Sequence, residues 1–218
     1  MNDNCGLYEH EAVTLPVNLY IMFDRSSSMV GGKWDSATTG LKAFLADSHS
    51  AGLRVALRFF PRPADSTPVC DQHAYSQPEV PFGELPANQA ALELAIDSAA
   101  PDGFGTPMYP ALGGAILKGI EVAKANPGEV SAVLLVTDGQ PQGPASSCGG
   151  VNPEDPAKVA ELAAAGAMFN PAVATYVVGL PGVDQSSANL IAQAGGTQSA
   201  ILVSANDVEK QFREALGK

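Results

Sequence analysis

Runs of hydrophobic residues of strand length recur along the chain, and each run ends at a small or polar residue. Five runs rich in Val, Ile, Leu and aromatic residues cover residues 17–23, 54–60, 130–136, 173–178 and 200–203. Their nearly continuous hydrophobicity is typical of strands that are buried on both faces of a parallel sheet. Helical periodicity between the runs predicts helices over residues 34–45, 89–99, 108–123, 156–168, 188–194 and 207–216.

The alternation of strands and helices predicts an α/β fold, with a doubly wound, mostly parallel six-stranded sheet and helices on both faces. The sixth strand is a short antiparallel edge strand around residues 79–82, within a proline-rich segment (61–86) that has no helical period. In the common strand orders, the strand of residues 130–136 joins the first strand on the side opposite the second. No linker or repeat divides the chain, so we expect an N-terminal extension over residues 1–13 and a single domain over residues 14–217.

Oxygen-bearing side chains follow two of these strands at the points where the strands end. Carboxyl ends of neighbouring parallel strands flank the crevice at the switch point of such a sheet, so we expect these side chains to meet there. Carboxylates and hydroxyls without His or Cys favour a hard cation, Mg²⁺ first, with Mn²⁺ or Ca²⁺ as competitors. The candidate ligands are Asp24, Ser26 and Ser28 after the first strand, Thr106 in a glycine loop before a helix, and Asp138 after the strand of residues 130–136.

Three short segments together resemble a known metal site. Asp24-x-Ser26-x-Ser28, Gly105-Thr106-Pro107 and Thr137-Asp138-Gly139 are similar to the metal-ion-dependent adhesion site (MIDAS) of von Willebrand factor type A (VWA) domains, here of a bacterial type. The resemblance covers residues 14–217 and implies a Rossmann-like VWA fold.

The resemblance also implies a role for each candidate ligand. Ser26 and Ser28 would bind the metal directly, Asp24 and Asp138 would hold it largely through waters, and Thr106 would join it when ligand is bound. Family members are usually binding modules rather than enzymes, and an Asp or Glu side chain of a partner protein completes their coordination shell. We therefore expect a non-enzymatic, metal-dependent adhesion or protein-binding module.

Other interpretations stay open at this stage. An aspartate after the first strand also begins the nucleophile motif of phosphatase-like phosphoryl-transfer enzymes, although residue 26 is Ser where a second Asp is expected and no general base accompanies it. A cytosolic VWA subunit that assists an AAA-type ATPase is a further alternative. Thr106 could instead cap the helix that follows it. Arg25, beside the metal, could attract an acidic partner, but we expect exposure to solvent, the commoner fate of an arginine.

Composition restricts the possible partners. The 218 residues contain 23 Asp and Glu against 12 Lys and Arg, a formal net charge of −11. This charge repels nucleic acid and favours a solvated, monomeric protein. No apolar run approaches the roughly 20 residues of a spanning helix, so we expect no integral membrane domain.

The cysteines and the N-terminus bear on localisation. No basic n-region and apolar h-region open the chain, so no secretory signal is expected within it. Three cysteines allow one internal disulfide, and we expect Cys70 with Cys148 because both follow predicted strands in loops at one end of the sheet, whereas Cys5 precedes the first strand. A formed disulfide favours an exported extracellular or cell-surface protein, and three free thiols favour the cytoplasm.

Overall fold

The computed structural model describes residues 15–63, 70–143, 148–204 and 210. Its strands are β1 (Val17–Asp24), β2 (Arg54–Phe60), β3 (Val80–Glu84), β4 (Val130–Thr137), β5 (Val173–Gly179) and β6 (Ile201–Leu202). Its helices are α1 (Gly32–Ala46), α2 (Gln72–Tyr75), α3 (Gln89–Ser98), α4 (Met108–Ala125), α5 (Pro156–Ala167) and α6 (Gln185–Ala194). Apart from residue 210, which is helical, the predicted helix over residues 207–216 lies outside the described residues, as do the predicted domain limits.

The six strands form one sheet in the order β3-β2-β1-β4-β5-β6. All neighbouring strands are parallel except the edge strand β3, which is antiparallel to β2. Because β4 joins β1 on the side opposite β2, the direction of winding reverses between β1 and β4. The predicted fold class, the edge strand and the switch point are confirmed.

Two hydrophobic cores cover the two faces of the sheet. Helices α1 and α3 pack on one face against residues such as Ile21 and Phe23, while α2, α4, α5 and α6 pack on the other against Tyr20 and Met22. Alternate residues of β1 therefore enter opposite cores, as the period of a strand requires. Burial of each large apolar side chain contributes about 1.5–3 kcal/mol to the stability of the fold, so the sheet is a stable support for the loops at its carboxyl edge.

The proline-rich segment differs from its prediction because it contains a helix. The single turn of α2 is capped by Asp71, whose side chain accepts a hydrogen bond of 3.2 Å from the Ala74 N–H. The turn lies close against α4, where a Cβ atom at Gly114 would be 2.3 Å from the Gln72 carbonyl oxygen. One turn is too short to give a helical period, so the sequence pattern did not reveal it.

A disulfide joins the loop after β2 to the loop after β4. It links Cys70 with Cys148, whose Cα atoms are 5.3 Å apart, and so confirms the predicted pairing. Both loops lie at the carboxyl edge of the sheet. Among the described residues, no helix has the length and apolar character needed to cross a membrane.

Candidate metal centre

Asp24 ends β1 and is completely buried at the switch point. The parallel register pairs Phe23 with Val136, which places Asp24 beside Thr137 of β4. The Thr137 hydroxyl donates to Asp24 Oδ2 at 2.6 Å, and the Ser26 N–H donates to Asp24 Oδ1 at 2.8 Å. These two hydrogen bonds fix the carboxylate and the first turn of the loop that follows it.

The charge of Asp24 has no cationic partner among the described residues. Burial raises the pKa of Asp24 to about 6, because the ionised form is poorly solvated there, and the charge of Asp138 raises this pKa further. The hydrogen bonds from Thr137 and Ser26 act in the opposite direction. A bound cation would compensate this buried carboxylate and favour its ionised form.

The loop after Asp24 brings three more oxygen donors together. Residues Ser27–Met29 form a turn of 3₁₀-helix, anchored by the fully buried Met29 side chain. Ser26 Oγ lies 2.9 Å from Ser28 Oγ, and the Ser28 hydroxyl donates to Asp138 Oδ1 at 2.8 Å. Ser28 is exposed, whereas the Asp138 side chain is only 1% exposed. The site therefore has one edge open to solvent and a buried floor.

The spacing of these oxygens fits a hard cation. Adjacent ligands in an octahedral Mg²⁺ shell, with metal–oxygen distances of about 2.1 Å, lie about 3 Å apart. The distances from Ser28 Oγ to Ser26 Oγ and to Asp138 Oδ1 have this length, although hydrogen bonds now hold these oxygens together. No group of three or more His, Cys, Asp or Glu residues suited to a metal occurs in the described part of the chain, so a metal here would depend on the serine hydroxyls.

Thr106 lies beside the turn that carries Asp138. A Cβ atom at Gly139 would be 3.2 Å from Thr106 Oγ1, and the Gln142 N–H donates to the Thr106 carbonyl at 2.9 Å. The preceding Gly105 has φ of +69°, a left-handed conformation that glycine adopts without strain. Pro107 occupies the N-cap position of helix α4, and the helix has no side-chain hydrogen bond at its cap, so the interpretation of Thr106 as its N-cap is wrong. Its role as a ligand stays a prediction.

Arg25 is buried, and the expectation that it is exposed to solvent is wrong. Its residue exposure is 8%; its Nε donates to the Ala100 carbonyl at 2.9 Å, and its Nη2 forms an ion pair of 2.5 Å with Asp102. The backbones of the two segments are also paired, because the Gly103 N–H donates to the Arg25 carbonyl at 3.1 Å. A Cβ atom at Gly103 would lie 2.2 Å from Pro61 Cγ, so only glycine permits this approach. Arg25 therefore ties the loop that carries Thr106 to the loop that carries the serines.

Two residues of the centre were given no role from the sequence, although Thr137 stands in the Thr137-Asp138-Gly139 segment. Thr137 holds Asp24, and Lys33 in the first turn of α1 donates from Nζ to Asp138 Oδ2. The parallel register of β1 and β4 could have indicated Thr137, because it is next to Asp24 across the strand pair. No sequence signal indicated Lys33, since its contact depends on how the loop between β1 and α1 folds back.

Comparisons with known proteins show the fold but not a family. No protein-family model matches the sequence, and no curated protein is significantly similar to it. The crystal structure of the pilus adhesin SpaC from Lactobacillus rhamnosus GG, in an open conformation, is similar to the structure with a TM-score of 0.65 and 19% sequence identity. The match covers 93% of this chain and 30% of the adhesin chain. This chain thus spans less than a third of that protein, and the likeness supports the shared α/β fold.

Proposed function

We propose that this chain is a VWA-type, metal-dependent protein-binding module with an adhesive role. The observation that carries the proposal is the set of contiguous oxygens from Ser26, Ser28 and Asp138 next to Asp24, a buried carboxylate to which no described residue supplies a cationic partner. Mg²⁺ suits this set best, with Mn²⁺ or Ca²⁺ as alternatives. The fold likeness to a pilus adhesin is compatible with this role.

Each residue has a distinct part in the proposed site. Ser26 and Ser28 offer hydroxyls as direct ligands, while Asp24 and Asp138 hold the cation largely through waters. Thr137 and the Ser26 N–H orient Asp24 before any ligand arrives. Thr106, at the side of the Asp138 turn, joins the shell when a partner is bound. A bound Mg²⁺ supplies a positive centre that accepts a carboxylate oxygen from an Asp or Glu side chain of the partner.

The surroundings of the site favour a protein partner over a small anion. Phe104 is 70% exposed on the loop between Gly103 and Thr106, and Val30 is 63% exposed just after the serine loop. These two loops are hydrogen-bonded to each other, because the Ser27 N–H donates to the Gly103 carbonyl at 2.9 Å. Large apolar side chains exposed beside a polar centre are typical of protein-binding surfaces.

The alternative phosphoryl-transfer function has less support. A nucleophilic carboxylate needs a free oxygen aimed at the substrate, but both oxygens of Asp24 accept hydrogen bonds and the residue is fully buried. The residue two positions later, where a catalytic acid is expected, is Ser26, which cannot act as a general acid in this way. Asp24 is therefore better suited to hold a cation than to attack phosphorus.

The disulfide supports an exported location. Disulfides persist in oxidising compartments and are rare in the cytosol, where thiols are kept reduced. The Cys70–Cys148 bond thus favours an extracellular or cell-surface module over a cytosolic subunit that assists an ATPase.

Titration calorimetry of Mg²⁺ into EDTA-stripped protein tests the metal centre. We expect one saturable site in the wild-type protein and affinity at least about 100-fold weaker in Ser26→Ala and Asp138→Ala. Ser98→Ala is the matched control, because Ser98 lies on α3 and its hydroxyl bonds only the Leu94 carbonyl among the described residues. A folded wild-type protein that binds no Mg²⁺ would overturn the proposed centre.

Selection from a displayed peptide library tests the partner chemistry. Peptides are captured on immobilised protein in Mg²⁺ and eluted with EDTA, with Ser26→Ala protein as the control surface. We expect an Asp or Glu in the eluted peptides, with apolar neighbours that match Phe104 and Val30. Enrichment that is the same on the Ser26→Ala surface, or that lacks acidic residues, would contradict recognition through the metal.

A further inference from the structure

The first turn of α1 brings a positive charge into the candidate centre. Lys33 Nζ forms an ion pair with Asp138 Oδ2; the lysine side chain is 24% exposed and the aspartate side chain 1%. The loop after β5 closes over the pair, since a Cβ atom at Gly182 would lie 3.1 Å from the Asp138 carbonyl oxygen and 3.5 Å from Lys33 Nζ. The ammonium group is therefore part of the centre rather than a distant surface charge.

Lys33 and a divalent cation would compete for the same carboxylate. Asp138 Oδ1 accepts from Ser28 and Asp138 Oδ2 accepts from Lys33, so the lysine takes one of its two oxygens. A cation held by Ser26 and Ser28 would lie near both Asp138 and the ammonium group. Like charges repel most strongly where burial excludes water, as it does around Asp138.

We propose that Lys33 is the internal counter-ion of the metal-free centre and that it sets the centre's affinity for divalent cations. This inference rests on the proposed function. Without a cation, Lys33 neutralises Asp138. When a cation binds, the partly exposed lysine side chain moves off Asp138 toward solvent.

The same lysine gives the loaded centre a net charge. The charges of Asp24 and Asp138 balance those of a divalent cation, and Lys33 then adds one positive charge at the rim. A protein with a formal net charge of −11 thereby presents a local positive site to an anionic partner. Lys33 thus lowers affinity for the metal and favours a carboxylate ligand once the metal is bound.

Helix α1 also offers a matched control. Lys42 pairs with Asp97 of α3, and its side chain is 33% exposed. Lys42→Met removes the same charge from the same helix, on a residue that is bonded to α3 and not to Asp138. Lys33→Arg tests charge separately from shape, because arginine keeps the positive charge.

The experiment measures Mg²⁺ affinity by calorimetry and thermal unfolding in EDTA and in Mg²⁺. We expect Lys33→Met to bind Mg²⁺ at least about tenfold more tightly than wild type, because the repulsion is removed. Its melting temperature should fall in EDTA, where Asp138 loses its counter-ion, and Mg²⁺ should raise it more than it raises that of wild type. Lys42→Met should bind Mg²⁺ within about twofold of wild type, and Lys33→Arg should not gain affinity.

The outcomes separate this inference from the proposed function. Wild-type affinity for Mg²⁺ in a folded Lys33→Met protein would overturn the role of Lys33 and leave the metal centre intact. Tight binding by Lys33→Met when the wild-type protein binds weakly would support the role of Lys33. Failure of both folded proteins to bind Mg²⁺ would overturn the metal centre itself. If Lys33→Met does not fold, Lys33→Gln serves in its place.

Discussion

The two ends of the parallel sheet both carry charged side chains, but they neutralise them differently. At the amino end, Glu129 accepts from Arg54 at 3.1 Å and from Asn18 at 2.7 Å, and both charged residues stay partly exposed. At the carboxyl end, Asp24 and Asp138 are both buried, and among the described residues Asp138 pairs with Lys33 while Asp24 has no cationic partner. A charge that already has a partner of opposite sign needs no ligand, so a bound cation should stabilise the carboxyl end more than the amino end.

A groove lies at the amino end of the sheet, opposite the buried carboxylates. The amino end carries a groove of about 600 Å³ that runs past Leu15, His49 and Glu84. The charges of Arg54 and Glu129, which line this groove, already pair with each other. The groove and the buried carboxylates therefore lie at opposite ends of the sheet. Variants that change one end alone test how the two ends differ.

The disulfide gives the largest expected effect, because it ties two loops at the carboxyl end across 78 residues of sequence. Cys70→Ser with Cys148→Ser should lower the free energy of unfolding by about 4 kcal/mol, as the unfolded chain gains freedom. For a domain of this size, the melting temperature should fall by roughly 10 °C.

Urea unfolding checks this prediction, with Cys5→Ser in both proteins to prevent disulfide exchange. A matched pair at the amino end, Ser48→Ala with Ser50→Ala, should lower the free energy of unfolding far less. Equal urea midpoints with and without the Cys70–Cys148 bond would contradict the stabilising role of the disulfide.

Removal of an arginine should destabilise the protein more at the carboxyl end than at the amino end. Arg25→Met removes one hydrogen bond to the Ala100 carbonyl and the ion pair with Asp102, and it should cost about 2 kcal/mol, less than a fully buried pair because the Asp102 side chain is 48% exposed. Arg54→Met removes a partly exposed pair and should cost less than about 0.5 kcal/mol. Guanidinium unfolding curves of the two variants measure the difference, and equal losses would show that Arg25 does not anchor its loop.

The sheet was predictable because its signal is local. The nearly continuous runs that form β1, β2, β4 and β5 are hydrophobic on both faces, and this pattern directly indicates strands between two helical layers. The switch point followed from the general rules for connecting strands in α/β sheets, so the sequence alone predicted that the ends of β1 and β4 lie side by side. The candidate residues Asp24, Ser26, Ser28 and Asp138 accordingly meet.

Details that depend on tertiary contacts were not predictable. Arg25 carries a charge and follows a strand, so exposure was the expectation, but Asp102 and a carbonyl from a distant loop cover it. The contact of Lys33 with Asp138 joins residues 105 positions apart. In both cases the deciding partner lies in another loop, and no pattern along the sequence carries that information.

Asp24→Asn should change stability least of these variants, but the sign of its effect should depend on whether Mg²⁺ is present. Asp24→Asn removes a buried charge while keeping the shape of the side chain, so in EDTA it should stabilise the protein by about 1 kcal/mol. In Mg²⁺ the order should reverse, because the wild-type protein gains binding energy that the variant lacks.

Glu129→Gln is the control at the amino end. Glu129 already has Arg54 and Asn18 as partners, so its replacement should slightly destabilise the protein to the same extent with and without Mg²⁺. Melting temperatures of the three proteins in EDTA and in Mg²⁺ check both predictions. A destabilising Asp24→Asn in EDTA would mean that the hydrogen bonds from Thr137 and Ser26 outweigh the cost of burying the charge. The charges at the carboxyl end would then need no bound cation, like those at the amino end.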